Sequence, residues 1–193
     1  MKPQKIAVIV GSLRKESFNR KMANNLIRLA PQELKLEIVE IGHLPMYNQD
    51  LDESPPQAWV DFRKQIKNFD GVVFVTPEYN RSVPGVLKNA IDVGSRPYGQ
   101  SVWDTKKSAV MSVSISAIGG FGANHHLRQS LVFVNMPVMQ QPEAYIGHAA
   151  DLFDDKGEIA KESSREFVRK FIHAYADFLN VRSEIPPQAA SAK

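Results

Sequence analysis

Short apolar runs alternate with longer amphipathic stretches along this chain, a pattern that predicts β-strands alternating with α-helices. The runs that predict strands lie at residues 5–10, 34–41, 71–76, 108–114 and 136–141. The stretches that predict helices lie at about residues 19–30, 57–68, 84–94, 122–134 and 158–179. Val132 and Phe133, near the end of the fourth helix, are expected in the core. Such alternation is typical of an α/β fold with helices on both faces of a parallel sheet.

The polarity of the individual runs predicts where each strand lies in the sheet. "AVIV" at 7–10 and "GVVFV" at 71–75 lack polar alternation, which favours central strands, whereas "LKLEIVEI" at 34–41 alternates, which favours an edge strand. With right-handed crossovers, five strands fit the order 2-1-3-4-5 better than the six-stranded dinucleotide-binding order. Ligands of such sheets bind beyond the carboxyl ends of the strands, where the winding reverses. The loops after the first and third strands are therefore the expected site.

Composition narrows the classes of function. The 193 residues, 43% of them hydrophobic, suffice for one domain, expected at 1–182, with the Pro/Ala-rich residues 183–193 as a disordered tail. Lys and Arg number 24 against 21 Asp and Glu, and this net charge of +3 does not favour nucleic-acid binding. The absence of cysteine excludes thiolate chemistry, and no metal site is expected. Without a signal peptide or an apolar run of roughly 20 residues, a cytoplasmic protein with no membrane association is expected.

The loop after the first strand carries polar and cationic side chains at the start of a helix. "GSLRKESFN" at 11–19 supplies the hydroxyls of Ser12 and Ser17 and the guanidinium of Arg14, which suit an anion at a helix N-terminus. The loop lacks the Walker and GxGxxG patterns, so the lone phosphate of a mononucleotide fits it better than a triphosphate or NAD. A Ser17 that only caps the helix, with the charged side chains of the loop in solvent, is equally compatible with these residues.

The loop after the third strand is stiffened by proline. In "TPEYNRSVPGVLKNAID" at 76–92, Pro77 and Pro84 fix the backbone, and the N–H groups of residues 78–80 are expected to face a flat heterocycle beside the ring of Tyr79. The alternative is an ordinary loop with Pro84 at the start of a helix.

The loop after the fourth strand, "SISAIGGFGAN" at 114–124, lies at the same edge of the predicted sheet. Its three glycines are expected to let the backbone pass close to a planar ligand, with Ser114 at the ligand's edge. Glycines in a flexible turn are the alternative.

At these three loops the sequence resembles the NAD(P)H-dependent FMN reductase family, in the flavodoxin-like branch that includes quinone and chromate reductases. The resemblance runs from about residue 5 to 180 and rests on "GSLRKESFN" and "VTPEYNRSVPGVLKNAID", with "SISAIGG" weaker. It implies a three-layer flavodoxin-like fold in which the first loop, including Asn19, holds the FMN phosphate. The second loop, at 77–80, lines the isoalloxazine, and Ser114 lies near the edge of the flavin. The residues it assigns to FMN are Ser12, Arg14, Ser17, Phe18, Asn19, Pro77, Glu78, Tyr79, Asn80 and Ser114.

The resemblance also implies an activity. It implies an oxidoreductase that passes two electrons from NADPH or NADH through bound FMN to a quinone by ping-pong turnover, without a dedicated catalytic side chain. On this interpretation chromate, azo compounds and free flavin are further electron acceptors. The resemblance also implies that the protein forms a homodimer or homotetramer. The alternative is an FMN-binding electron carrier without a nicotinamide site, although such carriers tend to be strongly acidic and this chain is not.

Three positions depart from the pattern of the family. Arg81 and Val93 stand where close relatives often carry an aromatic residue, and "FGANHH", with Gly122, stands where some relatives place an arginine. These positions lie near the substrate mouth and subunit contacts that the resemblance implies. The choice between NADH and NADPH, the acceptor and the oligomer size therefore stay open.

Overall fold

The computed structural model of the protein describes residues 2–180, and within them five strands alternate with five α-helices. The strands are β1 Gln4–Val10, β2 Leu34–Val39, β3 Gly71–Thr76, β4 Lys107–Val113 and β5 Ala144–Ile146. The helices are α1 Phe18–Leu29, α2 Gln57–Lys67, α3 Gly85–Gly94, α4 Phe121–Phe133 and α5 Glu162–Asn180. The tail expected at 183–193 lies outside the described residues.

The strands form one parallel sheet in the order β2-β1-β3-β4-β5, which confirms the predicted topology. Every residue of β3 is buried, as expected of a central strand. At the sheet edge, β2 alternates between buried and exposed residues over its first four positions, as its sequence predicts. The carboxyl ends of β1, β3 and β4 are therefore neighbours, and the three loops of interest leave the sheet side by side.

Two apolar cores lie on opposite faces of the sheet and give the three predicted layers. Ile6 and Val8 of β1 face a core that contains residues of α1 and α5, whereas Ala7 and Ile9 face one that contains residues of α2, α3 and α4. Successive side chains of a strand point to opposite faces, so this single strand contributes to both cores.

Two expectations from the sequence are wrong. Residues 136–141 are not the fifth strand, because they meet β4 only through a bridge between Val138 and Ser108, and the strand forms at 144–146 instead. The last turn of α4 is not core: Phe133 is 91% exposed and Val132 is largely exposed too. The buried face of α4 carries Leu127 and Leu131, four residues apart, and neighbouring side chains on a helix diverge by about 100°.

Candidate functional site

A cavity of about 180 Å³ opens at the carboxyl ends of β1, β3 and β4. It brings together nine of the ten residues assigned from the sequence, and Asn80 is the one that does not line it. Val113 and Ile115 line it as well, and only their position beside Ser114 signals this in the sequence. The lining consists of Ser12, Arg14, Ser17, Phe18, Asn19, Pro77, Glu78, Tyr79, Val113, Ser114 and Ile115.

The start of α1 forms one wall of the cavity. Ser17 caps this helix, and its Oγ accepts a hydrogen bond from the backbone N–H of Arg20 at 3.3 Å. A hydroxyl that accepts one bond keeps its own proton for a second partner, so the cap and an anion contact are compatible. Ser12 is buried beside it, and the first turn of α1 contains no acidic residue to oppose the positive end of the helix dipole.

Asn19 shows that the cavity suits a ligand with hydrogen-bond donors. Its amide Nδ2 donates to the backbone carbonyl of Val113 at 3.2 Å, which joins α1 to the end of β4. Its Oδ1 is buried and has no hydrogen-bond partner among residues 2–180. An unsatisfied buried acceptor is costly, and a ligand hydroxyl or ring N–H would satisfy it. Hydrogen-bond donors for an anion at one end match the phosphate of FMN, and the unpaired acceptor nearby matches its ribityl hydroxyls or its ring.

A tight turn at residues 79–82, here called the rim turn, borders the other side of the cavity. Tyr79 and Ser82 exchange backbone hydrogen bonds of 3.0 and 2.9 Å, and the two residues between them, Asn80 and Arg81, both have positive φ, at 50° and 64°. This is the geometry of a type I′ turn. The expectation that the N–H groups of residues 78–80 are all free is therefore wrong for Tyr79. Asn80 lies exposed in the middle of the turn, away from the cavity wall.

Glu78 ties the rim turn to the start of α4. Its side chain is only 9% exposed: Oε2 accepts from the backbone N–H of Ala123 at 3.0 Å, and Oε1 lies 3.2 Å from Nη1 of Arg81. Gly122 allows this approach, since a Cβ there would lie 2.8 Å from the Arg81 carbonyl oxygen and 3.0 Å from Glu78 Oε2. Two departures from the family pattern, Arg81 and Gly122, thus pack against each other.

The glycines before α4 allow close packing within the protein, and their approach to a planar ligand stays a prediction. Gly119 has a φ of 61°, and a Cβ there would lie 2.5 Å from the backbone of Tyr145. Gly120, with a φ of 74°, packs closely on Ser112. Their near neighbours are the protein's own atoms, so these glycines allow the loop to pack on β4 and β5.

An ionisable cluster lies beside the site, outside the cavity lining. The hydroxyl of Tyr145 donates to Glu143 Oε1 at 2.8 Å and lies 3.0 Å from Nε2 of His125. Burial, followed by the hydrogen bond to Glu143, raises the pKa of Tyr145 to about 12. This hydroxyl therefore stays protonated at neutral pH and holds β5 to α4.

Comparison with known proteins gives consistent matches over most of the chain. Residues 4–151 match the model of a family described as NADPH-dependent FMN reductase. A quinone reductase from Pseudomonas putida is 60% identical over 181 residues, which cover 93% of this chain and 97% of that protein. A 2-hydroxy-1,4-benzoquinone reductase from Burkholderia sp. is 46% identical over 178 residues, 92% of this chain and 97% of that protein.

A solved structure agrees with these sequence matches. The flavoenzyme NAD(P)H:(acceptor) oxidoreductase FerB from Paracoccus denitrificans superposes with a TM-score of 0.86 at 40% identity, covering 91% of this chain and 97% of that one. The family match over residues 4–151 includes the whole sheet and all three loops that form the cavity. The flavodoxin-like fold expected from the sequence is confirmed.

Proposed function

Because this chain belongs to the NADPH-dependent FMN reductase family, we propose that it is an FMN-dependent oxidoreductase that uses NAD(P)H to reduce quinones. The observation that carries the proposal is the cavity at the ends of β1, β3 and β4, with its buried hydroxyls, helix N-terminus and unsatisfied amide oxygen. When bound, FMN supplies the two-electron chemistry that links a nicotinamide donor to an acceptor.

The protein's own residues bind and orient the cofactor. Ser12, Ser17 and Arg14, with the first turn of α1, would hold the phosphate. Asn19, expected at the phosphate, would instead accept from the ribityl chain or the ring, because its Nδ2 already donates to Val113 and only its Oδ1 is unpaired among residues 2–180. A second set of residues would line the ring: Pro77, Glu78, Tyr79 and Ser114, with Phe18 as a wall at the phosphate end. Asn80 would act indirectly, by shaping the rim turn. No side chain is needed as an acid or base.

The mouth of the cavity suits a flat, uncharged acceptor. Tyr79 and Ile115 line the cavity and are exposed, so they offer apolar surface to a quinone ring. The names of relatives from Pseudomonas putida and Burkholderia sp. specify quinone substrates, which supports the same class here. Donor and acceptor would use this mouth in turn, so we expect ping-pong kinetics.

The test is a steady-state assay of the purified, FMN-loaded protein with NADPH or NADH and 1,4-benzoquinone. We expect donor oxidation that depends on both FMN and the quinone, with parallel lines in double-reciprocal plots. A protein that binds FMN but oxidises neither donor would be an electron carrier, and the proposal would be wrong.

We also propose that the protein forms a homodimer or homotetramer through the surface between α3 and α4. A groove of about 630 Å³ runs between these helices, larger than the cavity at the sheet edge, with the exposed Phe133 on its wall. Lys88 and Asp92, which also line it, pair with each other at 2.8 Å, so these two charges do not repel the same surface of a second copy. Light scattering should give a dimer or tetramer for the wild type and a smaller species for Phe133→Ser. A monomeric wild type would contradict this part of the proposal.

Chromate reduction and a cytoplasmic location complete the proposal. Among residues 2–180, no helix combines the length and hydrophobicity that a membrane span requires. The cytoplasmic location is proposed because NAD(P)H is a cytoplasmic metabolite. Cell fractionation and a chromate assay with the loaded enzyme test these two points.

A further inference from the structure

The rim turn places an arginine in a conformation that favours glycine. Arg81 is the second central residue of this type I′ turn and has a φ of 64°. Left-handed backbone is unfavourable for residues with a Cβ, and the usual occupants of such turns are Asn, Asp and Gly. Asn80 fits that preference, but Arg81 does not. A strained residue beside a ligand cavity indicates a role for its side chain.

The stability of the fold does not account for Arg81. Its side chain is 74% exposed and pairs with Glu78 over a separation of three residues, and exposed ion pairs contribute little to folding. Within the described chain, Glu78 is the partner of this guanidinium, which has five N–H donors. Most of these donors are therefore available to an incoming ligand.

The carboxylate of Glu78 contacts both the guanidinium of Arg81 and the start of α4. Glu78 is nearly buried and is held at the same time by the N–H of Ala123 in the first turn of α4. The positive end of that helix dipole offsets part of the negative charge of Glu78, which leaves a net positive charge around Arg81. Gly122 keeps the arrangement sterically possible, because a Cβ there would collide with the Arg81 carbonyl. A carboxylate, a helix terminus and a glycine together place one exposed cation next to Glu78 and Tyr79 of the cavity lining.

We propose that Arg81 binds a phosphate group of the nicotinamide donor, an inference that rests on the function proposed above. The cofactor and the quinone do not present an anion there, and chromate, an anionic acceptor, is left out of the test. The FMN phosphate is assigned to the loop of Ser12 and Ser17 on the other side of the cavity, and a quinone is uncharged. NADH brings a diphosphate, and NADPH brings the same diphosphate with an additional 2′-phosphate. Guanidinium groups bind phosphate through charge-assisted hydrogen bonds.

The test compares Arg81→Gly with the wild type as FMN-loaded proteins. Glycine removes the guanidinium and suits the turn, so we expect the Tm and the FMN affinity to be at least those of the wild type. We expect kcat/KM for the donor to fall roughly tenfold, the scale of one lost charge-assisted hydrogen bond, and kcat/KM for 1,4-benzoquinone to stay unchanged. Calorimetric titration of the oxidised holoprotein with NADP⁺, which involves no turnover, should show a similar loss of affinity.

Two further variants keep the comparison decisive. Arg81→Gln removes the charge and retains most of the side-chain length, so it should reproduce the loss even if the glycine variant folds poorly. Arg169→Ala is the matched control, because Arg169 is also an ion-paired arginine with a partly exposed side chain but lies on α5, which packs on the other core. Its kinetic constants should equal those of the wild type.

Separate assays with NADH and with NADPH identify the phosphate group that Arg81 binds. A loss with NADH and NADPH alike assigns the diphosphate, whereas a loss with NADPH alone assigns the 2′-phosphate. Unchanged donor constants in the Arg81 variants, or an equal fall in FMN affinity or in kcat/KM for the quinone, would overturn the proposal. A wild-type protein that does not reduce quinones would instead contradict the proposed function.

Discussion

Replacement of Ser17 by alanine separates the two roles that we assign to its hydroxyl. As the cap of α1, Ser17 accepts from the N–H of Arg20, and loss of such a cap costs about 1 kcal/mol. For a domain of this size, a loss of about 1 kcal/mol lowers Tm by roughly 2–4 °C. As a phosphate ligand, the hydroxyl would make a hydrogen bond to a charged group, worth roughly 1.5–3 kcal/mol, or about 10- to 100-fold in FMN affinity.

Ser12→Ala is the matched control for Ser17→Ala. Ser12 is also buried and lines the same cavity, but it caps no helix. We expect Ser12→Ala to weaken FMN binding while the Tm of the apoprotein stays within about 1 °C of the wild type. Thermal unfolding of the apoproteins by circular dichroism and titration with FMN by flavin fluorescence measure the two quantities. If Ser17→Ala lowers Tm but both variants bind FMN like the wild type, the hydroxyls have only a structural role and the phosphate site is misplaced.

Three other substitutions test separate contacts. Gly122→Ala should displace the rim turn, because the new Cβ crowds the Arg81 carbonyl. We expect it to destabilise the protein by about 1–3 kcal/mol and to weaken FMN binding. A melting curve identical to that of the wild type would contradict this prediction. Gly94→Ala should lower Tm by a similar free energy without a specific effect on FMN, since its Cβ would lie 2.5 Å from the buried ring of Trp103. The raised pKa of Tyr145, about 12 against 10.0, means that its stabilisation is complete below pH 10 and lost as the pH rises to 12. Urea unfolding of Tyr145→Phe should therefore show less loss of stability over that interval, and an identical pH dependence would argue against the raised pKa.

The sheet order was predictable because its signals are strong and local. The buried runs of β1 and β3 and the alternating β2 identify central and edge strands from polarity alone. The three-residue β5 is too short to show a periodic pattern, and the longer apolar run at 136–141 was predicted as the fifth strand instead. In α4, four apolar residues in succession at 131–134 hide the helical period, so the exposure of Phe133 could not be inferred.

The position of the candidate cavity in the fold was predictable, but its internal contacts were not. Topology brings the ends of β1 and β3 together, so the loops that follow them must meet. By contrast, the bond from Ala123 to Glu78 joins residues 45 positions apart and depends on the packing of α4. The positive φ values of Asn80 and Arg81 follow from the pairing of Tyr79 with Ser82, which the sequence does not signal with a glycine.

The most direct measurement is a calorimetric titration of the wild-type apoprotein with FMN. We expect one FMN to bind per chain, and inorganic phosphate to weaken the binding by competing at the start of α1. An apoprotein that binds no FMN at any concentration would contradict the assignment of the cavity. So would an FMN affinity that changes neither with added phosphate nor when Ser12 and Ser17 are both replaced by alanine.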